Sequence, residues 1–254
     1  MIIIHKSVWF LLSHLMLFTV LVFVLRMVLL TAVEKRYAAY PVSYLKVIWR
    51  DIGAALVFGF AVLPAAEFAN RWFAFRPTVP ASVMSLPVAW RFLLYLVIAD
   101  FGHYWVHRLM HSQYFWRVHK WHHSPTYMYW LAGVRGSVFQ QILVNVPYIF
   151  AGVLLIIAPW WMTTVILLKN TAQNDWMHLN VSWGAKWLEW IIVTPRYHHV
   201  HHSDSPEHYR GNLASLFPIW DRAFGTYVNP ESVPRDLVFG IGEKLPALRL
   251  AVGI

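Results

Sequence analysis

The sequence predicts an all-α fold: a multi-pass transmembrane bundle of about four to five membrane helices with a cytoplasmic, histidine-rich metal-binding cap. Three observations lead there. Only 13% of the 254 residues are charged and 58% are hydrophobic, against about 25% charged in soluble domains. The apolar residues come in runs of membrane-spanning length. Histidines crowd into short tracts beside the ends of those runs, five of them in HRLMHSQYFWRVHKWHH, residues 107–123.

The runs follow in order. Residues 8–30 form a stretch longer than a signal-peptide core, and no small-residue cleavage site precedes Glu34, Lys35 and Arg36, so a retained anchor is expected. Residues 47–68 make a second run, interrupted by Arg50 and Asp51 near its start and Pro64 near its end. Residues 86–105 make a third and lead straight into the histidine tract. Residues 138–158 form a fourth; Pro159, Trp160 and Trp161 read as an interfacial turn, and residues 162–178 climb back, so that this hairpin returns His178 to the face the chain left. From residue 180 the chain is polar and proline-punctuated, with amphipathic pieces such as WLEWIIV expected at the membrane surface.

Basic residues set the orientation. With the third run ending in the cytoplasm, Lys35, Arg36, Lys46, Arg50, Arg108, Arg117, Lys120 and Arg135 lie inside, and only Lys6, Arg71, Arg76 and Arg91 outside. The same topology accounts for the net charge of +9: the basic residues flank apolar runs rather than forming a stripe, which argues against nucleic acid as a partner. The chain has no cysteine, which excludes disulfides, thiolate metal sites and cysteine nucleophiles. No repeat or long linker divides it, so residues 1–254 are expected to be a single membrane domain.

Helical residues three and four apart share a face. His107 and His111 are spaced i, i+4; His119, His122 and His123 follow i, i+3, i+4; His198, His201 and His202 repeat that pattern in PRYHHVHHS. With His178 brought back by the hairpin, nine imidazoles can converge. One histidine beside a membrane is ordinarily a satisfied polar residue, but nine would be costly to bury without purpose, since each carries two ring nitrogens to satisfy. A zinc site takes about four ligands, so nine suggest two metals. Neutral imidazole suits iron, zinc, copper or nickel rather than magnesium or calcium, and residue types alone do not separate iron from zinc. His103, one turn before His107, is assigned a supporting role over ligation, and Asp100 an orienting hydrogen bond to a ligand histidine. His199 points off the shared face, and His5, His14 and His208 are taken as structural. Tyr127, Tyr129 and Trp130 suit either a substrate channel or, preferably, an interfacial aromatic belt; Arg135 suits a lipid head group or marks the cytoplasmic face.

The series DFGHYWVHRLMH, WRVHKWHHS, the single histidine of NDWMHLN, and TPRYHHVHHS followed by WDRAFGTY resembles the fatty acid hydroxylase and sterol desaturase superfamily over residues 100–227. VRGSVFQ and the hairpin before His178 are most similar to its alkylglycerol monooxygenase branch. The resemblance implies residues 1–85 as leading transmembrane helices, 86–228 as the catalytic region and 229–254 as a C-terminal tail. It implies a membrane oxygenase whose two iron ions, with zinc as a substitute, activate O2 against a C–H bond of an acyl, alkyl or sterol lipid. By position, the catalytic metal ligands would be His107, His111, His119, His122, His123, His178, His198, His201 and His202. Some relatives carry a further histidine where this chain has Asn174, leaving one coordination position to water or Asn174. Asn212, Trp220 and Asp221 match the closing motif of the family and are read as support for the cluster. Electrons must come from a separate donor of cytochrome b5, ferredoxin or pterin type, because the sequence has no HPGG segment, no cysteine for an iron–sulfur centre and no GxGxxG fingerprint. Desaturation on the same centre is the main alternative; a zinc-dependent membrane hydrolase and a metal transporter are further ones.

Overall fold

The computed structural model describes residues 6–72, 78–159 and 161–254, with only the backbone given for residues 6–16, 18 and 19. His5, Arg76 and Trp160 fall outside the described residues, as do the side chains of Lys6 and His14. Among the described residues there is no β-strand, only the isolated bridges Ala38 to Val181 and Ser203 to Phe239. The main helices are α1 (Lys6–Tyr37), α2 (Tyr44–Trp72), α3 (Val88–Met110), α4 (Trp116–His123), α5 (Val138–Gly152), α6 (Trp161–His178) and α7 (Pro195–His201).

Two described stretches, Tyr44–Trp72 and Val138–Leu155, are long and apolar enough to cross a membrane. The faces turned away from the bundle are apolar as well: Leu17, Leu21, Leu25 and Val28 on α1, Phe60 on α2, and Leu167 and Leu168 on α6 all stand exposed. An apolar exterior of this extent identifies a membrane protein, since water-facing surfaces rarely carry large contiguous apolar patches. Pro64, which interrupts the second run near its end, does not end α2. It lacks the N–H that would bond back to residue 60, and the helix widens into a π turn over Phe58–Val62 before continuing to Trp72, a device common beside functional sites.

α3 and α5 approach closely because Gly102 has no side chain; a Cβ there would lie 2.8 Å from Cβ of Pro147. α1 is fastened to α6 by Arg26, which donates to both carboxylate oxygens of Asp175 at 2.8 and 2.6 Å. α2 is fastened to the loop after α4 through Asp51, fully buried, which accepts from Tyr127 and Tyr129 at 2.8 Å and pairs with buried Arg135. Removing one partner of a buried pair such as this costs about 3 to 5 kcal/mol. Tyr127, Tyr129 and Arg135 thus form an internal polar knot rather than an interfacial belt or a head-group contact.

The C-terminal end of α1 closes over the same region. Glu34 is fully buried and its Oε1 accepts from the backbone N–H of Trp130 at 2.7 Å and of Asn180 at 2.8 Å. Among the described residues its Oε2 has no hydrogen-bond partner, and burial pushes the carboxyl up to about 7. An acid whose folded pKa is raised favours the fold when protonated, so this contribution is present below about 4.5 and fades as pH rises to about 7. Glu34→Gln keeps the accepting oxygen without the charge. In thermal unfolding followed from pH 4.5 to 8, the variant is expected to gain on the native protein as pH rises and to level off above about 7; a constant difference across that range would contradict the assignment.

Candidate metal centre

All nine histidines singled out by their spacing are buried, and they divide into two nests. His107, His111, His119, His123 and His201 form one; His122, His178, His198 and His202 form the other, each with one nitrogen per residue within 4.8 Å of the rest. Adjacent residues therefore serve different nests: α4 sends His119 and His123 to the first and His122 to the second, and α7 sends His201 to the first and His198 to the second. A spacing of i, i+3, i+4 supplies both, because the third imidazole stands beside the i, i+4 pair rather than on it.

Backbone and amide oxygens fix the rings. His107 Nδ1 donates to the carbonyl of Leu213 at 2.7 Å, His122 Nδ1 to Arg135 at 3.0 Å, His178 Nδ1 to Asn174 at 2.8 Å and His201 Nδ1 to Gly211 at 2.9 Å, while His119 Nδ1 donates to Oε1 of Gln140 at 3.0 Å. Committing Nδ1 to an acceptor leaves Nε2 as the free lone pair, the usual way a ligand histidine is oriented. Those lone pairs face one another. The Nε2 atoms of His178, His198 and His202 form a triangle with sides of 3.0 to 3.2 Å, and His107 Nε2 lies 3.0 Å from His119 Nε2.

Three ring nitrogens so close, with the Nε2 of His178 a bare acceptor, suit a cation between them. Nitrogens about 2.1 Å from a common metal stand roughly 3.0 Å apart at right angles and roughly 3.4 Å apart in a tetrahedron, so the triangle has the size a transition metal imposes. In the first nest both ring nitrogens of His111 and Nε2 of His123 and His201 are buried without a partner, a costly state that a metal relieves. Burial pushes His122 down to about 4 and His201 to about 3, and burial together with neighbouring imidazoles pushes His119, His123, His198 and His202 well below the ordinary value. They are neutral near pH 7, the form that binds metal. The donor set fits two ions held by nitrogen.

The remaining residues frame these nests. Gly133 lies against His178, and any Cβ there would collide with its ring. Trp116 stacks on Tyr209 with centroids 5.0 Å apart and meets His111 and His123, each at 5.1 Å, as an aromatic cover over the first nest. Asn212 adopts a left-handed φ of 52°, with its side chain bound to Tyr197 and Val228, and the carbonyls on either side, Gly211 and Leu213, both turn to histidines. Asp221, fully buried, accepts from the N–H groups of Leu213 and Ala214 at 2.8 Å and from Tyr197 and Thr226, so it acts on His107 through the Leu213 carbonyl.

Asp100 does not touch a histidine. Its oxygens accept from the N–H groups of Leu216 and Phe217 and from Trp220 Nε1, all at 2.9 Å, so it anchors the segment that carries Asp221. His103 belongs to neither nest; it lines the adjoining cavity near Tyr148, whose hydroxyl is 3.4 Å from Nδ1. Asn174 contributes its backbone carbonyl to His178, and its side chain lines the cavity. His199 packs on Tyr40 with centroids 5.4 Å apart, and His208 contacts Ser203.

A family model for fatty acid hydroxylases matches residues 92–226, the stretch holding all nine histidines. The chain belongs to the fatty acid hydroxylase family. It is similar to alkylglycerol monooxygenases of Danio rerio, 35% identical over 145 residues, and of Homo sapiens, 33% identical over 143, covering 57% and 56% of this chain. It is also similar to an ornithine lipid hydroxylase, OlsE, of Rhizobium tropici, 32% identical over 161 residues, or 61% of this chain. The matches span 32% and 31% of the two monooxygenases and 46% of the Rhizobium protein. No solved structure matches the chain.

Gln140 and Gly133 were not among the sequence candidates. The quoted VRGSVFQ held the first, since Ser137 caps α5 and so sets Gln140 in its first turn, but nothing local tells which side chain will face a histidine. Membership of the fatty acid hydroxylase family and the two nests together give a sharp expectation for metal analysis of iron-loaded, anaerobically purified protein. His201→Ala should lose the metal of the first nest and His198→Ala that of the second, each about half the total. Gly133→Ala, which touches no metal, should lose the second-nest share by displacing His178; full retention in that variant would refute the packing argument.

Proposed function

We propose that the chain is an integral membrane lipid hydroxylase: a single domain of four to five membrane helices, histidines at the cytoplasmic face, and one iron ion in each nest. The observation that carries this reading is the split of nine buried imidazoles into two adjoining nests that open on one cavity, about 880 Å³ in volume, among α2, α3, α5 and α6. His122, His178 and His198 of one nest and His107 and His119 of the other line it.

Iron, when bound, supplies the one-electron and O2 chemistry that amino-acid side chains lack. The residues of the chain do the rest. The nine imidazoles hold their lone pairs inward, with Gln140 and the carbonyls of Arg135, Asn174, Gly211 and Leu213 fixing five of the rings. Trp116 and Tyr209 cover the aqueous side, which limits water at the reacting centre. Tyr95, Val144, Ile166 and Leu167 give the cavity an apolar stretch that admits a hydrocarbon chain, and holding the lipid in one pose relative to the imidazoles does much of the work. Electrons come from a separate donor at the cytoplasmic surface.

Similarity to proteins named for alkylglycerol and ornithine-lipid oxidation favours hydroxylation over desaturation. Iron-loaded protein with a donor system, incubated with membrane lipid under oxygen-18 gas, should yield a lipid carrying the heavy isotope, and His122→Ala should abolish it while remaining inserted. An unlabelled olefin would identify a desaturase; zinc-bound protein active without O2 would identify a hydrolase. Either result overturns the reading.

A further inference from the structure

The cavity beside the nests has a wall of neutral amides. Gln140, Gln141 and Asn145 of α5 and Asn170, Gln173 and Asn174 of α6 all line it. The positions 141 and 145, and 170, 173 and 174, follow the i, i+3, i+4 spacing that keeps each set on one helix face. Amides inside a membrane bundle are expensive unless something bonds to them, and here much of their capacity is unused. Nε2 of Gln141 donates to Oδ1 of Asn145 at 2.7 Å, leaving Oε1 of the first and Nδ2 of the second. Nε2 of Gln173 donates to Ser215 at 2.7 Å, leaving Oε1; Asn170 uses only Oδ1, towards Lys169. Among the described residues the Asn174 side chain makes no hydrogen bond.

We propose that this amide wall is a subsite for the uncharged polar linkage of the lipid, a hydroxyl, ester or amide, which enters the bundle with the chain instead of staying at the interface. The inference rests on the reading of the chain as a lipid hydroxylase. Donors and acceptors are mixed on the wall and no amide carries charge, which suits a neutral group with both hydrogen-bond functions. The charged residues that line the cavity are already matched: Arg26 is bound by Asp175, Arg135 by Asp51, and Glu67, largely exposed, lies 3.8 Å from Arg71. Lys169, which does not line the cavity, donates to Asn170.

The order along α6 gives the subsite a direction. Asn174, Gln173 and Asn170 lie four, five and eight residues before His178, or roughly 6 to 12 Å along the axis; Leu167 and Ile166 follow further on. A linkage held by the amides with its chain in the apolar part presents a carbon close to the linkage, not the distant methyl end, to the imidazoles.

The test is binding to the full chain in nanodiscs, with and without iron. Three probes of equal chain length are used: hexadecylglycerol, hexadecanamide and hexadecane. Both polar probes should bind about tenfold or more tightly than hexadecane, the size expected of one or two buried hydrogen bonds. The double variant Gln141→Leu with Gln173→Leu should lose that advantage while binding hexadecane as the native protein does, which also shows that it is folded. Asn170→Ser, which retains a hydroxyl, should lose less than Asn170→Leu. Equal binding of all three probes by the native protein, as when the wall holds only water, would overturn the subsite, as would a variant that weakens all three alike. Turnover is scored separately: preferential binding without oxygen-dependent product refutes the hydroxylase reading and leaves the subsite standing, whereas product without preferential binding does the reverse.

Discussion

Nine buried imidazoles are packed with their ring nitrogens facing one another, and the residues around them are arranged to hold those rings in place. In the Nε2 triangle of 3.0 to 3.2 Å, His178 commits its Nδ1 proton to Asn174 and so presents a bare acceptor to two neighbours. Burial suppresses full protonation, as at His122 and His201. A cation shared among the rings would relieve this crowding, which would couple metal binding to the folding of this end of the bundle.

That demand explains where the buried polar residues sit. Each is placed to hold an acceptor still. Asp51 ties down Arg135, whose carbonyl orients His122; Asp221 ties down Leu213, whose carbonyl orients His107; Asn212 takes a left-handed conformation so that Gly211 and Leu213 can serve two histidines at once. Asp100 secures the segment leading to Asp221. These carboxylates lie one step behind the candidate metal ligands, and their strength lies in rigidity, since a ring displaced by a fraction of an ångström would lose its share of a bound metal.

Much of this was legible in the sequence and some was not, for definite reasons. Helical spacing was enough to collect the nine histidines, because i, i+3 and i+4 neighbours meet whatever surrounds them. The runs gave the helices, and the return of His178 followed from counting residues up and down the hairpin. Spacing did not reveal that His119 and His122 serve different nests, since that depends on how α4 is turned against α7, a tertiary matter. The charges in and beside apolar runs, Glu34, Asp51 and Arg135, carried the signal of internal partners, yet which partner each finds is set largely by contacts between segments 76 to 146 residues apart. Asp100 illustrates the limit: its depth in the run marked it as important, but it turned to the backbone of Leu216 and Phe217 rather than to an imidazole.

The two nests are unequal, and the inequality has a physical source. The first gathers five nitrogens under the Trp116 and Tyr209 cover; the second gathers four, with the backbone carbonyl of Asn174 holding His178. Three of those four, His122, His178 and His198, border the cavity, and Asn174 borders it beside them. An amide is a far weaker metal ligand than imidazole but a good hydrogen-bonding group, so the side chain of Asn174 suits the cavity better than a metal. Both nests border that cavity, the second with three rings and the first with two, His107 and His119, and the wall of amides begins where the histidines stop.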